Sequence, residues 1–468
     1  MAAKASRYIA ALCLTTALTA ALAAPAAAQT PRETALEARL AQLEAAVAQL
    51  RGELVTARAA PAATAMASPM TLAAAPVAPL APETEKRLAA LETAKPADGF
   101  KIGGTTVKLG GFVRANVVAT RYNDGEVAVG GLGKEFYLPQ QIPVGGGFTS
   151  NDFLVHARQT RFVLTTATPV GDNVLKSHIE FDFALATAPI GAQRATNPYT
   201  PTFRRGFITY GNLLVGQEWT TFQNVAVLPE TTDFVGPLEG TVFVRQGIVQ
   251  YRQPLGTGLD LLVALENPET EAINRTSPAL IDADDDRMPD VVARLNAKSA
   301  AGEFSLAGIV RELRVNSAGV GDTALGWGIS AAGRVPLGAR HDLRFMATYG
   351  NGVGRYLGLG FAPDAVFAGL PGSRLETVRN FAGFAALKLG WTATVRSTVM
   401  ASYQSADYGD ALVSPLSNKA AWSGAANLFW TAAKGFDVGI EYRHGERRLV
   451  NDDSGGIDRV EAAFKYAY

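Results

Sequence analysis

From Arg459 to Tyr468 the side chains alternate with period two. Val460, Ala462, Phe464, Tyr466 and Tyr468 share one face, while Arg459, Glu461, Ala463, Lys465 and Ala467 share the other. Such alternation is a β-strand with an apolar and a charged side. A strand of this kind that finishes on an aromatic is expected to close a barrel in a bacterial outer membrane, apolar face to lipid and charged face to water. The pattern recurs upstream. Trp391, Ala393, Val395, Val399, Ala401 and Tyr403 oppose Thr392, Thr394, Arg396, Thr398, Ser402 and Gln404; Phe436, Val438, Ile440 and Tyr442 oppose Asp437, Gly439, Glu441 and Arg443; and Ile179, Phe181 and Phe183 oppose Lys176, His178, Glu180 and Asp182. Runs near 105–119, 154–167, 173–184, 203–211, 212–219, 241–252, 259–267, 291–298, 303–312, 324–335, 341–350, 375–389, 391–404, 419–432, 435–447 and 457–468 predict an all-β transmembrane barrel of about 16 antiparallel strands. An open sheet edge in lipid would leave backbone groups unsatisfied, so the sheet must close. Tyr210, Trp219, Tyr251, Trp391, Tyr403, Trp430, Tyr442 and Tyr468 fall near strand ends, the spacing of interfacial girdles.

Mean hydropathy is +0.08, yet no long uncharged apolar run follows the N-terminus, which excludes a helical membrane protein. The 43 basic and 43 acidic side chains give no net field to attract nucleic acid, so none is expected as a partner. Residues 1–28 read as a signal peptide: Lys4 and Arg7, an apolar core from Tyr8 to Ala24, and Ala26-Ala27-Ala28 at the cleavage site. Cys13 lies inside that core, so the mature chain is expected to hold no disulfide.

Residues 29–58 are a different material. Leu36, Leu40, Leu43, Val47, Leu50 and Leu54 form an a/d seam, with Glu37, Arg39, Glu44, Arg51 and Glu53 off it. This N-terminal α-helical coiled-coil segment predicts self-association of unspecified number, because an isolated helix this short is marginal in water, with a helix packed on its own barrel as the alternative. Residues 59–99 are an Ala/Pro-rich linker with a short helix from Glu83 to Thr93. The barrel domain is expected over 100–468.

Charged inward positions make a barrel a water-filled pore whose selectivity is set at its narrowest part. Parity assigns Arg114, Arg161, Arg245, Arg294, Arg344, Arg396 and Arg443 to the lumen, with one of Arg204 and Arg205, taken as Arg205. A guanidinium stays charged and its planar fork matches a carboxylate, so these are candidate anion-binding residues. The competing reading pairs them with Glu180, Asp182 and Glu441 in ordinary lumen networks. The segment Thr220 to Gly240 carries Glu230, Asp233 and Glu239 among Leu228, Pro229, Phe234, Val235, Pro237 and Leu238. Folding inward would shelter the apolar side chains and set carboxylates across from arginines; an external lid is the alternative. His156, His178, His341 and His444 show no metal-ligand spacing, and no Gly-x-Ser-x-Gly elbow is present, so no enzyme activity, metal or cofactor is expected. Asp282-Ala283-Asp284-Asp285-Asp286 lacks the glycine and distant glutamate of an EF-hand and reads as a solvated loop.

Five successive blocks, Val155 to Phe162, Lys176 to Phe183, Leu214 to Phe222, Leu228 to Pro237 and Phe243 to Gln246, resemble those of DcaP-like porins. The resemblance is densest over 150–250; elsewhere it rests on the order of signal, coiled coil, spacer, barrel and terminal aromatic. It implies a homotrimer of sixteen-stranded barrels in outer-membrane lipid, a periplasmic coiled coil, and passive uptake of small anionic solutes such as dicarboxylates. It also implies that Arg161 and Arg245 belong to an arginine cluster, and Glu230 with Asp233 to a constriction loop. The expectation is a passive porin. The alternatives are a structural barrel tethered through its coiled coil to the envelope, a phosphate-type anion porin, against which the predominance of arginine over lysine argues, and an outer-membrane hydrolase.

Overall fold

A computed structural model describes residues 99–185, 196–281, 285–317 and 319–468. The signal-peptide, coiled-coil and linker expectations fall on residues 1–98, outside these. Sixteen barrel strands follow one another: β1 Thr105–Tyr122, β2 in two halves Ser150–His156 and Arg161–Val170, β3 Asn173–Asp182, β4 Thr202–Tyr210, β5 Leu213–Trp219, β6 Arg245–Gly256, β7 Leu259–Glu266, β8 Asp290–Ser299, β9 Gly302–Ser317, β10 Val320–Leu337, β11 His341–Asn351, β12 Arg379–Gly390, β13 Val395–Asp407, β14 Asn418–Ala433, β15 Phe436–Leu449 and β16 Ser454–Ala467. Each pairs antiparallel with its sequence neighbour, and β16 returns to β1 from Phe112↔Ala467 to Tyr122↔Ile457, so the sheet is a closed barrel. The two halves of β2 both pair with β1, which makes them one strand interrupted at 157–160. There Arg158 turns inward to Glu135 at 3.1 Å.

Connections at one end are short, as at 171–172, 211–212, 257–258 and 434–435, while 123–149, 183–201, 220–244, 267–289 and 352–378 are long. In outer-membrane barrels the short turns are periplasmic and the long loops extracellular. Three sequence boundaries move for local reasons. Residues 375–377 leave the predicted strand 375–389 and join a small sheet with Ala272–Ile273 and Ala365–Phe367. Residues 391–394 are a turn in which Thr392 Oγ1 accepts from Thr394 N and Val395 N at 3.1 and 2.9 Å. Residues 241–244 belong to the preceding loop, with Val242 bridged to Leu357.

The alternation sorts side chains as the physics of lipid requires. Val399, Tyr403, Trp422, Leu428, Trp430, Ile440, Tyr442, Val460, Phe464 and Tyr466 are exposed outside, whereas Gln404, Ser423, Glu441, Arg443, Arg459 and Glu461 are buried inside. Trp327 and Tyr349 on adjacent strands pack edge to face at 6.0 Å, and Phe381 and Tyr403 lie 6.3 Å apart, parts of the upper girdle. Trp219 is not in a girdle: it packs at 4.9 Å against Phe243, at the top of a wall where β5 is 7 residues long.

The inward face is not uniformly charged. On β9 to β14 it carries Ala307, Ile309, Ala332, Met346, Ala382, Phe384, Ala386, Met400 and Ala425, which form one buried cluster with Phe222, Val227, Val242, Tyr356 and Leu357 from the loops. Small inward residues leave the width into which those loops fold. Gly240 rests on this wall so closely that an added Cβ would stand 2.5 Å from the Gly383 carbonyl oxygen.

Trp422 and Trp430 are on one face of β14, about 26 Å apart along the strand, and Val399 pairs with Ala426 midway between them. A charge there has no route to water. Val399→Arg is expected to lower the free energy of folding into lipid vesicles by about 2–4 kcal/mol, measured by urea titration. Ala426, its outward neighbour, replaced likewise should give a similar loss; unaltered stability in both variants would mean that this face is not in the hydrocarbon.

Candidate functional site

Residues 220–244 leave β5, run along the inner wall and return to β6. The order of their contacts follows the order of the strands. Arg294 on β8 donates to the Gln223 carbonyl. Asn224 Nδ2 donates to Ser305 Oγ on β9 at 2.9 Å, and Arg344 on β11 donates to the Leu228 carbonyl at 2.5 Å. Arg396 on β13 grips the Glu230 carboxylate through Nε and Nη2, both at 2.6 Å, while Asn427 on β14 donates to the Glu230 carbonyl at 2.8 Å. Thr232 N donates to Glu441 on β15 at 3.2 Å. The Thr232 carbonyl accepts from Arg114 and, at 3.2 Å, from Asn116 on β1. The loop is therefore a band laid against the wall from β8 round to β1. The inward reading of this segment describes its path.

A second layer locks the far end. Asp233 accepts from the backbone N–H groups of Tyr137 and Val235 at 2.7 and 2.9 Å and lies 3.8 Å from Arg459. Glu239 accepts from Tyr137 Oη at 3.3 Å. Both carboxylates are buried, so they hold the loop to residues 123–149 and do not face the open lumen. Glu230 is the acid of the three that keeps a third of its side chain exposed.

The wall the band leaves clear, β2 to β5, carries its own network. Arg161 meets Glu180 and Asp182 at 3.2 Å each; Arg204 meets them at 2.8 and 2.7 Å; Arg205 meets Glu180 at 3.1 Å and Glu218 at 2.5 Å. A bulge between Glu180 and Phe181 in the β3–β4 pairing adds a residue to β4, so both Arg204 and Arg205 face the lumen, where period-two counting admits one. Three guanidinium groups thus share three carboxylates. Arg204 is buried, with Phe234 of the band beneath it at 5.0 Å. Arg161 and Arg205 keep 23% and 25% of their side chains exposed and present the cationic side of the cluster to water.

The remaining candidates divide by environment. Arg443 is 1% exposed, clamped by Glu441 at 3.1 Å and stacked over Tyr137 at 4.7 Å, and it touches no passage. Arg344 is shared with Asp342 at 2.5 Å. Arg114 and Arg294 have no carboxylate within ion-pair distance among the described residues; each spends its donors on loop carbonyls. Arg245 stands at the mouth of β6 with its guanidinium buried among the charges of Arg204, Asp182, Arg161 and Glu180. It pairs with Trp219, and the face it shares continues into Val249 and Tyr251, which are exposed, whereas Gln246 and Ile248 point inward. Its backbone parity is outward while its side chain turns towards the cluster, as the first residue of a strand can.

The anion-binding candidates leave out three interior cations. Arg311 is fully buried between Asp290 at 3.3 Å and Asp364 at 3.0 Å, and strict alternation with Leu306 and Val310 marks its position as inward. Arg459 shows the same signal on β16. Lys465, on the charged face of that strand, stands 4.8 Å over the Phe112 ring, whose other cationic neighbour is Arg161 at 5.3 Å. Towards the periplasm a 440 Å³ recess is lined by Lys298, Arg334, Arg340, Lys388 and Arg396 against Glu303 and Asp342, a local cationic excess.

The family model described as DcaP outer membrane protein matches residues 140–468. Among solved structures the chain is similar to the outer membrane channel DcaP of Acinetobacter baumannii, with 25% identity and a TM-score of 0.66 over 79% of this chain and 99% of that one. It is similar in fold to an anion-selective porin from Comamonas acidovorans, with 9% identity and a TM-score of 0.50 over 78% of this chain and 100% of that one. No curated protein matches it. A closed sixteen-stranded barrel with a charged interior and an inward band, matched by that family model over its barrel, leaves one assignment: the chain belongs to the DcaP outer membrane protein family and is a channel of the porin type in the bacterial outer membrane.

Proposed function

We propose that the channel admits small hydrophilic solutes by passive diffusion and favours small organic anions, dicarboxylates among them. The observation that carries this reading is the asymmetry across the lumen. On one side lies the band of residues 220–244, its polar groups already held by Arg114, Arg294, Arg344 and Arg396; on the other stand Arg161 and Arg205, partly exposed. Their carboxylate partners lie deeper than they do: Glu180 and Asp182 are buried while the two arginines are not. A solute passing this wall meets guanidinium first. Lys465 beyond Phe112 and the cationic recess below extend the same sign towards the periplasm. Field at a constriction, not total charge, sets selectivity.

The assembly belongs to the same proposal. A homotrimer joined by the coiled coil of residues 29–58 in the periplasm would give three such channels per unit, after removal of residues 1–28. No catalytic step is assigned to any residue, and transport is downhill.

Current through single trimers in a planar bilayer under a salt gradient tests the reading, with succinate added to one side. Conductance in groups of three, an anion-directed reversal potential and succinate-induced blocking support it; a cation-directed potential sinks the selectivity. Arg161→Ala combined with Arg205→Ala leaves Arg204 facing Glu180, Asp182 and Glu218, so the local balance turns negative. The reversal potential should change sign while the barrel stays folded, because solvated lumen positions add little to membrane insertion.

Gly240→Ala addresses the width. The added methyl cannot coexist with the Gly383 carbonyl, so the band must lift from β12. Single-channel conductance is expected to fall, because a band pushed off the wall moves into the passage. An unchanged conductance would mean that the band does not set the narrowest section.

A further inference from the structure

At the extracellular side, next to the Arg161–Arg204 cluster, a cavity of 330 Å³ is lined by Arg245, Arg355, Glu271, Gln217, Phe243 and Leu359 among others. Arg245 opens β6, Arg355 lies in the loop after β11, and Glu271 lies in the loop after β7. Both guanidinium groups are fixed from behind by aromatic rings: Arg245 over Trp219 at 5.1 Å and Arg355 over Tyr356 at 5.2 Å. One N–H-bearing atom of each, Nη1 in both cases, is buried and accepted by no group.

The neighbouring acids do not fill these donors. Asp364 is engaged by Arg311 at 3.0 Å and by the backbone N–H groups of Arg355 and Glu271 at 3.0 Å each. Asp290 is engaged by Arg311 at 3.3 Å and Tyr356 Oη at 2.6 Å, and its nearest approach to Arg355 Nη1 is 4.0 Å. Arg355 Nη2 is used on Gln246 Oε1. Two preorganised, desolvated cations with spare donors on one cavity are the chemistry of a carboxylate site.

We propose that this rim cavity is an anion-binding subsite, in which Arg245 and Arg355 hold one carboxylate of an incoming small organic anion beside Glu271 before it reaches the band. The proposal deepens the anion-channel reading and rests on it. Glu271 is the single carboxyl on the cavity wall. Burial, with the charges of Asp364 and Glu269 helping and those of Arg355 and Arg311 opposing, holds it up at about 7. Below that pH it is neutral and leaves both arginines to the ligand; above it, a second negative charge repels the incoming carboxylate.

The test is calorimetric titration of succinate into the full chain in detergent at pH 6 and pH 8. If the neutral form of Glu271 is the competent one, binding at pH 8 is about tenfold weaker than at pH 6, the ratio of the competent fractions. Arg245→Gln with Arg355→Gln should abolish that pH-dependent binding, and Glu271→Gln should bring affinity at pH 8 to the pH 6 level. Wild-type affinity and pH profile in the double variant overturn the proposal. Should that variant fail to show the heat-resistant migration of a folded barrel, Glu271→Gln decides: a tenfold pH effect persisting in it overturns the proposal equally. An anion-selective pore with binding unaltered by these substitutions defeats the subsite alone. A pore without anion preference that still binds succinate in this way defeats the channel's selectivity and leaves the subsite standing.

Discussion

Everything in this molecule follows from the hydrogen bonds between β16 and β1. In hydrocarbon no strand edge can be left unpaired, so the sheet closes, and closure fixes which side of every strand meets lipid and which meets water. Once that is settled, each charged residue on the wall must find its partners inside a lumen of limited width. The band of residues 220–244 supplies many of them. Its backbone carbonyls have no sheet to pair with and would be unsatisfied if buried, and the wall arginines have donors in excess. Each solves the other's problem.

This gives arginine two distinct occupations in one interior. Arg114, Arg294 and Arg344 spend donors on the carbonyls of Thr232, Gln223 and Leu228, and Arg443 and Arg311 are enclosed with carboxylates. These are structural, and removing one partner of an enclosed pair leaves an uncompensated charge, which costs more than the pair contributes. Arg161 and Arg205 are paired too, but at the surface of their cluster. The division is made by depth, not by residue type. It also explains why the band runs along β8 to β1: that is where the inward faces offer alanine and glycine, and the polar groups between them are spaced to receive a chain.

Much of this was legible in the sequence because lipid imposes an alternation that few other environments enforce. Strand number, the closing strand and the inward parity of Arg396, Arg443 and Glu441 follow from counting by two. What was not legible came from places where the count breaks. The bulge before Arg205 turns two consecutive arginines to one side; the late start of β6 leaves Arg245 at a strand mouth, where its side chain does not follow the count; the Thr392 turn and the small sheet at 375–377 shorten strands whose residues alternate well enough to pass. Burial depth was likewise hidden. Asp233, Glu239 and Glu230 are three similar acids in one apolar loop, and nothing local says that two of them face Tyr137 and Arg459 while the third faces Arg396. That distinction depends on residues 96 or more positions away.

A pore lined by many arginines need not be strongly cationic. In the β2 to β5 cluster the charges cancel, yet cancellation in number is not cancellation in position. A passing ion feels each charge through the medium between them, and a buried carboxylate behind a guanidinium acts at greater distance than the guanidinium itself. The resulting field is a dipole with its positive end towards the passage. Such a device needs no net charge, and it keeps the arginine fork oriented by the same acids that neutralise it. Selectivity therefore resides in the geometry of Glu180 and Asp182 as much as in Arg161 and Arg205: the acids hold the cations forward, and the barrel wall holds the acids back.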